Sequence, residues 1–180
     1  MALYIKKFGG SSVATPSKME DIARRVLSEK KTNDKVVIVV SAMGDSTDTL
    51  LSLAEEVSDT HHGREVDMLI TTGEQVSSSL MAMTFAHLGA SAVSLTGAQA
   101  GICCRGTHGK AFIDKVPLCK VIMGDERQSS LTLPRLFMLP SIQSIPVYGF
   151  LFHPTKITSW GKNVQEYGVK TIKSVENKYL

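Results

Sequence analysis

Leu3-Tyr4-Ile5-Lys6-Lys7-Phe8-Gly9-Gly10-Ser11-Ser12 is a short apolar strand that runs into a lysine, two glycines and two hydroxyls. A helical pattern follows. Pro16 and Ser17 mark its start, and Met19, Ile22, Ala23, Val26 and Leu27 recur at helical spacing. This is the layout of a phosphate cradle: glycines let backbone N–H groups approach an anion, and the next helix turns its positive end toward it. Lys7 would supply a mobile point charge for a transferring phosphoryl group. The plainer alternative is a strand–turn–helix connection whose glycines serve only the turn. Neither G-x-x-x-x-G-K-[ST] nor G-x-G-x-x-G occurs, so the stretch belongs to neither of those two phosphate loops.

Working outward, Lys31 to Asp34 breaks the helix. Val36-Val-Ile-Val-Val40 is a continuous β-branched run, as in a strand buried on both faces of a parallel sheet. Ser41 to Gly44 closes it, and Asp48 to Val57 reads as helix. Two strand–loop–helix units in succession predict an α/β fold with a mostly parallel sheet and right-handed crossovers. Two further helical segments, Val66 to Ile70 and Val76 to Leu88, are expected on either side of a Thr71-Thr-Gly-Glu74 interruption, with Gly89 ending the second. Ala92 to Leu95 reads as a strand, Gly97 to Gly109 as loop, and Ala111 to Val116 as another strand. Beyond Val116 prolines recur at 117, 134, 140, 146 and 154. Leu131 to Leu139 is apolar without a clean period, and a short strand is expected near Val147-Tyr-Gly-Phe150. Residues 1–116 thus form one expected unit and 117–180 a divergent, poorly defined tail.

A hydrophobic content of 43% over 180 residues is enough for a real core. No apolar run reaches membrane-spanning length, and the N-terminus lacks the form of a signal segment, so a cytoplasmic protein with no membrane partner is expected. The net charge is +3, but residues 1–118 carry 12 Lys/Arg against 13 Asp/Glu while residues 119–180 carry 8 against 4. The tail lysines are scattered and weakly interleaved with aromatics, which argues against a nucleic-acid partner. Cys103, Cys104 and Cys119 fit neither a disulfide framework nor a zinc knuckle, and read as reduced thiols. His61, His62, His87, His108 and His153 lack a metal-ligand spacing, and His61-His62 reads as a solvated loop. No metal site is expected from the protein's own side chains.

In an open parallel sheet, ligands sit outside the carboxyl ends of the strands. Gly9 to Ser12, Ser41 to Asp48 and Thr96 to Gly101 fall at such places, and Thr71 to Glu74 makes a fourth polar segment. Such a rim could hold an anionic phosphate, hydroxyl-binding groups and an acid that pairs with a substrate amine. Each also has a purely structural reading. Thr47 and Asp48 could cap a helix, Glu74 could be a first-turn glutamate, Ser77 to Ser79 a small-residue helix face, and Met81 and Met83 helix packing.

Taken together, Lys7-Phe-Gly-Gly-Ser-Ser-Val13, Val39-Val-Ser-Ala-Met-Gly44 with Thr47-Asp48, Thr71-Thr-Gly-Glu-Gln75 and Thr96-Gly-Ala-Gln-Ala-Gly-Ile102 strongly resemble the aspartate kinases of the amino-acid kinase family. The likeness is to the bacterial type with a short regulatory domain. It covers about Leu3 to Val116, with His108-Gly109 and Ala111 in register. The resemblance implies the N-terminal part of a three-layer αβα sandwich. It also implies ATP-dependent phosphorylation of the L-aspartate β-carboxylate, with Mg²⁺, at the first step of lysine, threonine and methionine biosynthesis. Carried over by position, Lys7 would stabilise the transferring phosphoryl. Phe8, Gly9, Gly10 and Ser11 would line the phosphate site and Ser41 would lie beside the nucleotide. Thr47, Asp48 and Thr49 would help hold aspartate, and Glu74 would bind its amino group.

After Val116 the likeness decays. The family's Gly-Arg-Gly-Gly-Ser-Asp-Thr-Thr-Ala segment has its nearest counterpart in Ile157 to Gly168. There Lys162 stands for the arginine, Val164 for a glycine, Gln165 for the serine and Glu166 for the aspartate. Lysine does not replace arginine at a bidentate site. The expectation is a truncated aspartate kinase with a divergent tail, lacking the second half of the nucleotide site and the regulatory domains, and impaired as an enzyme. The alternative is a non-catalytic binding or assembly module built on the same fold. As partners the resemblance implies L-aspartate and ATP, and leaves open a homo-oligomer or pairing with a full-length kinase.

Overall fold

Strands β1 (Leu3–Phe8) and β2 (Lys35–Val40) run parallel, with Tyr4 opposite Val36 and Phe8 opposite Val40. The computed structural model describes residues 3–31, 34–58, 63–108, 111–115, 136–140, 144–145 and 148–149. Every residue of β2 after Lys35 is buried. Val36, Ile38 and Val40 join the main core, while Val37 and Val39, on the opposite face, are buried as well. The uninterrupted β-branched run is therefore that of an interior strand.

Helix α1 (Pro16–Glu29) returns from β1 to β2. Thr15 caps it by accepting from the Lys18 N–H at 3.3 Å, and Pro16 occupies a first-turn position where its missing N–H costs nothing. Its buried face, Met19, Ile22, Ala23 and Val26, packs into the core with Phe8, Val13, Met81 and Phe85. Helix α2 (Ser46–Val57) follows β2 and buries none of its residues.

Helix α3 (Gly63–His87) corrects one expectation. Its 25 residues are continuous, so Thr71 to Glu74 is not a break between two helices but lies in mid-helix. The run contains poor helix formers, which is why a break is expected from propensity. Two local effects offset that cost. The Thr71 hydroxyl donates to the Asp67 carbonyl at 2.7 Å and the Thr72 hydroxyl to the Leu69 carbonyl at 2.7 Å. Gly73 lets the helix approach its neighbours: a Cβ there would stand 3.2 Å from the Ala42 Cβ and 3.4 Å from Leu50 Cδ1. The helix ends at Gly89 as expected. Gly89, at φ +80°, donates to the Ala86 carbonyl at 3.0 Å, and Ala90 donates to the Phe85 carbonyl at 2.9 Å, which is a Schellman ending.

Strand β3 (Ala92–Ser94) comes next, then an antiparallel hairpin of β4 (Cys103–Arg105) and β5 (Phe112–Lys115). The Gly97 to Gly109 stretch is thus loop only in part. β6 (Leu136–Pro140) inserts between β2 and β3, parallel to both, giving the order β1-β2-β6-β3. A small antiparallel pair, β7 (Ser144–Ile145) and β8 (Tyr148–Gly149), closes the described chain. The expected strand near Val147 to Phe150 is present as β8. The expectations for His61, His62, Cys119, His153 and Ile157 to Gly168 lie outside the described residues. Among the described residues no helix is long and apolar enough to cross a membrane.

Met81 and Phe85 are fully buried between α3 and the sheet. Met83, in contrast, is 65% exposed, so only one of the two methionines packs as expected. Phe85→Ala is expected to cost about 3–5 kcal/mol of stability, because a large buried ring leaves a cavity that the surrounding helix and strands cannot close. Urea unfolding followed by circular dichroism measures it.

Candidate phosphate and acceptor site

All four strands of the main sheet are parallel, so the loops after β1, β2 and β3 emerge at one edge. The first two are joined through their backbones. Ser41 N–H donates to the Phe8 carbonyl at 3.1 Å, continuing the strand ladder by one residue. Gly44 N–H donates to the Gly10 carbonyl at 3.1 Å. Gly10 is required there: a Cβ would meet the Ala42 carbonyl oxygen at 2.7 Å and that of Gly44 at 3.3 Å. Gly44 itself has φ +47°, a conformation glycine adopts freely. The loop after β2 is therefore held between Gly10 on one side and Gly73 of α3 on the other.

The first loop is a single 3-10 turn over Gly10–Val13. The Gly9 carbonyl accepts from Ser12 N–H at 3.0 Å, and the Ser11 carbonyl accepts from the Lys18 ammonium at 3.0 Å. Phe8, expected at the phosphate site, is 2% exposed, and its ring lies 6.0 Å from the Arg25 guanidinium. Its side chain is core, and only its backbone reaches the rim.

The adjacent lysines of β1 part company because side chains alternate across a strand. Lys6 is buried at 9% exposure and forms an ion pair with Glu29 of α1. Lys7 is exposed and enters no ion pair among the described residues. Its ammonium is thus the one of the two available for an anion.

Thr47, Asp48 and Thr49 fall in the opening turns of α2, whose cap position is Asp45, so Thr47 and Asp48 are not the cap. Asp48 and Thr49 are exposed and Thr47 is half-buried. The Thr49 hydroxyl donates to the Asp45 carbonyl at 3.1 Å. Glu74 is 3% exposed and lies next to Gly73, the residue that docks α3 on the second loop. It is deep in the helix, not a first-turn glutamate. Ser77 and Ser78 are buried, and their hydroxyls donate to the Gly73 and Gln75 carbonyls at 3.1 Å and 3.0 Å, as befits a small-residue packing face.

The third loop, Thr96 to Gly101, is self-contained. Thr96 N–H donates to Gln99 Oε1 at 2.9 Å and Gln99 N–H to the Thr96 hydroxyl at 3.2 Å, a reciprocal cap that satisfies both side chains locally. Two features of the site escape sequence reading. Asp67, buried on α3, stands four and seven residues before Thr71 and Glu74, a helical period that would have signalled a shared face. Lys18 reaches back to the first loop with no local signal at all.

The two described cysteines are free, Cys103 exposed and Cys104 half-buried. Burial, with the neighbouring Cys103 thiol adding to it, pushes Cys104 up to about 11. Its thiolate is scarce at neutral pH, and the thiolate is the reactive form. At pH 8 iodoacetamide is expected to label Cys103 well before Cys104, with Cys104 labelling rising as the pH approaches 11; peptide mass mapping measures both.

Residues 3–134 match the amino acid kinase family. Aspartokinase of Mycolicibacterium smegmatis is 52% identical over 118 residues, which covers 65% of this chain and 28% of that protein. Aspartate kinase from Synechocystis superposes with a TM-score of 0.70 at 28% identity, covering 98% of this chain and 28% of that one. Escherichia coli aspartokinase III in complex with lysine and aspartate gives a TM-score of 0.69 at 15% identity, a likeness of fold, over 96% of this chain and 48% of that one. The chain spans about 28% of the length of the curated relatives it matches. Its parallel sheet with flanking helices is the N-terminal part of the αβα fold those structures share. The family match extends over most of the described sheet and every loop of the rim, and the chain belongs to the amino acid kinase family.

Proposed function

We propose that this chain carries the phosphate and acceptor side of an aspartate kinase, transferring the γ-phosphoryl of ATP to the β-carboxylate of L-aspartate. The observation that supports it most is the division of labour in β1: Lys6 is committed to Glu29, while Lys7 stands exposed immediately before the Gly9 to Ser12 loop. In this reading a carboxylate oxygen of aspartate attacks the γ-phosphorus as the bond to ADP breaks, leaving an aspartyl β-phosphate. The acceptor is already ionised at neutral pH, so no general base is needed. Positioning and charge stabilisation remain, and no covalent protein intermediate forms. Lys7 neutralises charge on the transferring group, the backbone from Phe8 to Ser11 holds phosphate oxygens, and Ser41 lies beside the nucleotide.

On the acceptor side, Glu74 pairs with the substrate ammonium, and Thr47, Asp48 and Thr49 complete the aspartate pocket. Glu74 is buried on α3, beside the Gly73 that docks the helix on the loop after β2. Among the described residues no cluster of three or more His, Cys, Asp or Glu side chains could hold a metal. By the family resemblance a Mg²⁺ ion would accompany the nucleotide, and when bound it would neutralise phosphate charge. The product is the activated acid from which lysine, threonine and methionine synthesis begins, and the reading makes the protein a cytoplasmic one.

The test is release of ADP from Mg·ATP that depends on L-aspartate, with the acyl phosphate trapped by hydroxylamine. Aspartate-dependent hydroxamate supports the proposal. Aspartate binding without hydroxamate would instead favour a binding module built on this fold.

A further inference from the structure

We infer that His108 is a positioning residue for the acceptor side of the site, acting through Asp67 on Glu74. The inference rests on the aspartate-kinase reading above. Asp67 sits on α3 with its side chain only 8% exposed. A carboxylate so placed is costly unless it is paired. His108 provides a partner, with Nδ1 3.3 Å from Oδ2 of Asp67. That nitrogen is itself enclosed and makes no hydrogen bond among the described residues, so the carboxylate is the group it faces. The pair is within ion-pair distance but short of a well-formed hydrogen bond, which leaves slack for a small movement of the helix to take up.

The two residues join separate parts of the rim. His108 follows β4 in the β4–β5 hairpin, and that hairpin grows directly from the Thr96 to Gly101 turn. Its fit against the start of α3 is close: a Cβ on Gly63 would stand 3.7 Å from the His108 Cβ. Along α3, the Thr71 hydroxyl bonds the Asp67 carbonyl, and Glu74 follows on the same buried face, two turns or about 10 Å from Asp67. Because the helix is continuous through Thr71 to Glu74, a shift at Asp67 is carried to Glu74 with little loss. Pinning Asp67 to the hairpin therefore sets the depth and rotation of the carboxylate that meets the substrate ammonium.

Calorimetric titration of the whole chain with L-aspartate, and separately with Mg·ATP, tests this on wild type, His108→Ala, His108→Asn and Asp67→Asn, each checked for folding by circular dichroism. Asparagine keeps an N–H donor near the Nδ1 position. The expected result is roughly tenfold weaker aspartate binding in His108→Ala and Asp67→Asn, unchanged Mg·ATP binding, and recovery of most of the aspartate affinity in His108→Asn. Aspartate affinity unchanged in His108→Ala, or both ligands weakened alike in all three variants, overturns the inference. Wild type that binds no aspartate overturns the parent reading first, and this inference with it.

Discussion

Lys7→Met is expected to lower kcat for aspartate-dependent phosphoryl transfer roughly 10²–10³-fold, the scale of removing one charge-stabilising group from a transition state. Its melting temperature should stay close to wild type, because Lys7 is exposed and enters no ion pair among the described residues. Lys6→Met is the control. Lys6 is buried against Glu29, whose side chain remains 55% exposed and can return to water. That change should alter stability modestly and leave kcat nearly untouched. Steady-state kinetics and thermal melts on both variants separate the two lysines. Equal losses of kcat would contradict the assignment of Lys7.

Gly10→Ala is expected to weaken Mg·ATP binding by tenfold or more, and to cost roughly 1–3 kcal/mol of stability. The added Cβ would stand 2.7 Å from the Ala42 carbonyl oxygen, and that atom is backbone, which cannot swing aside as a side chain would. Relief requires the loops after β1 and β2 to separate, breaking the Gly44 to Gly10 hydrogen bond. Gly9→Ala meets nothing within 4 Å and should be far milder. Nucleotide titration and denaturant unfolding of the pair measure the contrast. Similar behaviour of the two variants would show that the contact between the loops does not shape the phosphate side.

The first half of the sheet is legible in the chain because its signals are local. Val36 to Val40 is apolar throughout and β-branched, and such a run has few other places to go. Pro16 and Gly89 mark the ends of their helices through well-understood end effects, whereas the Thr15 cap appears only in the structure. Thr71 to Glu74 misleads because propensity speaks for single residues. The approach of Gly73 to Ala42, which makes the glycine useful in mid-helix, involves a loop far away in sequence. β6 is obscure for a similar reason: the sequence around it has no period of its own, and the place of Leu136–Pro140 between β2 and β3 is decided by long-range pairing. At the site, the glycine loops and Lys7 are visible as a motif. The consumption of Lys6 by Glu29, the core role of the Phe8 ring and the Asp67–His108 pair emerge only once elements distant in sequence are packed together.

In the proposed reading one rim binds both a nucleotide and an amino acid. The most direct test is calorimetric titration of the monodisperse chain with Mg·ATP, with and without L-aspartate, and with L-asparagine in place of aspartate. Saturable binding of Mg·ATP that Lys7→Met weakens is expected, together with binding of L-aspartate that Glu74→Gln abolishes. A folded chain that binds neither ligand would contradict that reading.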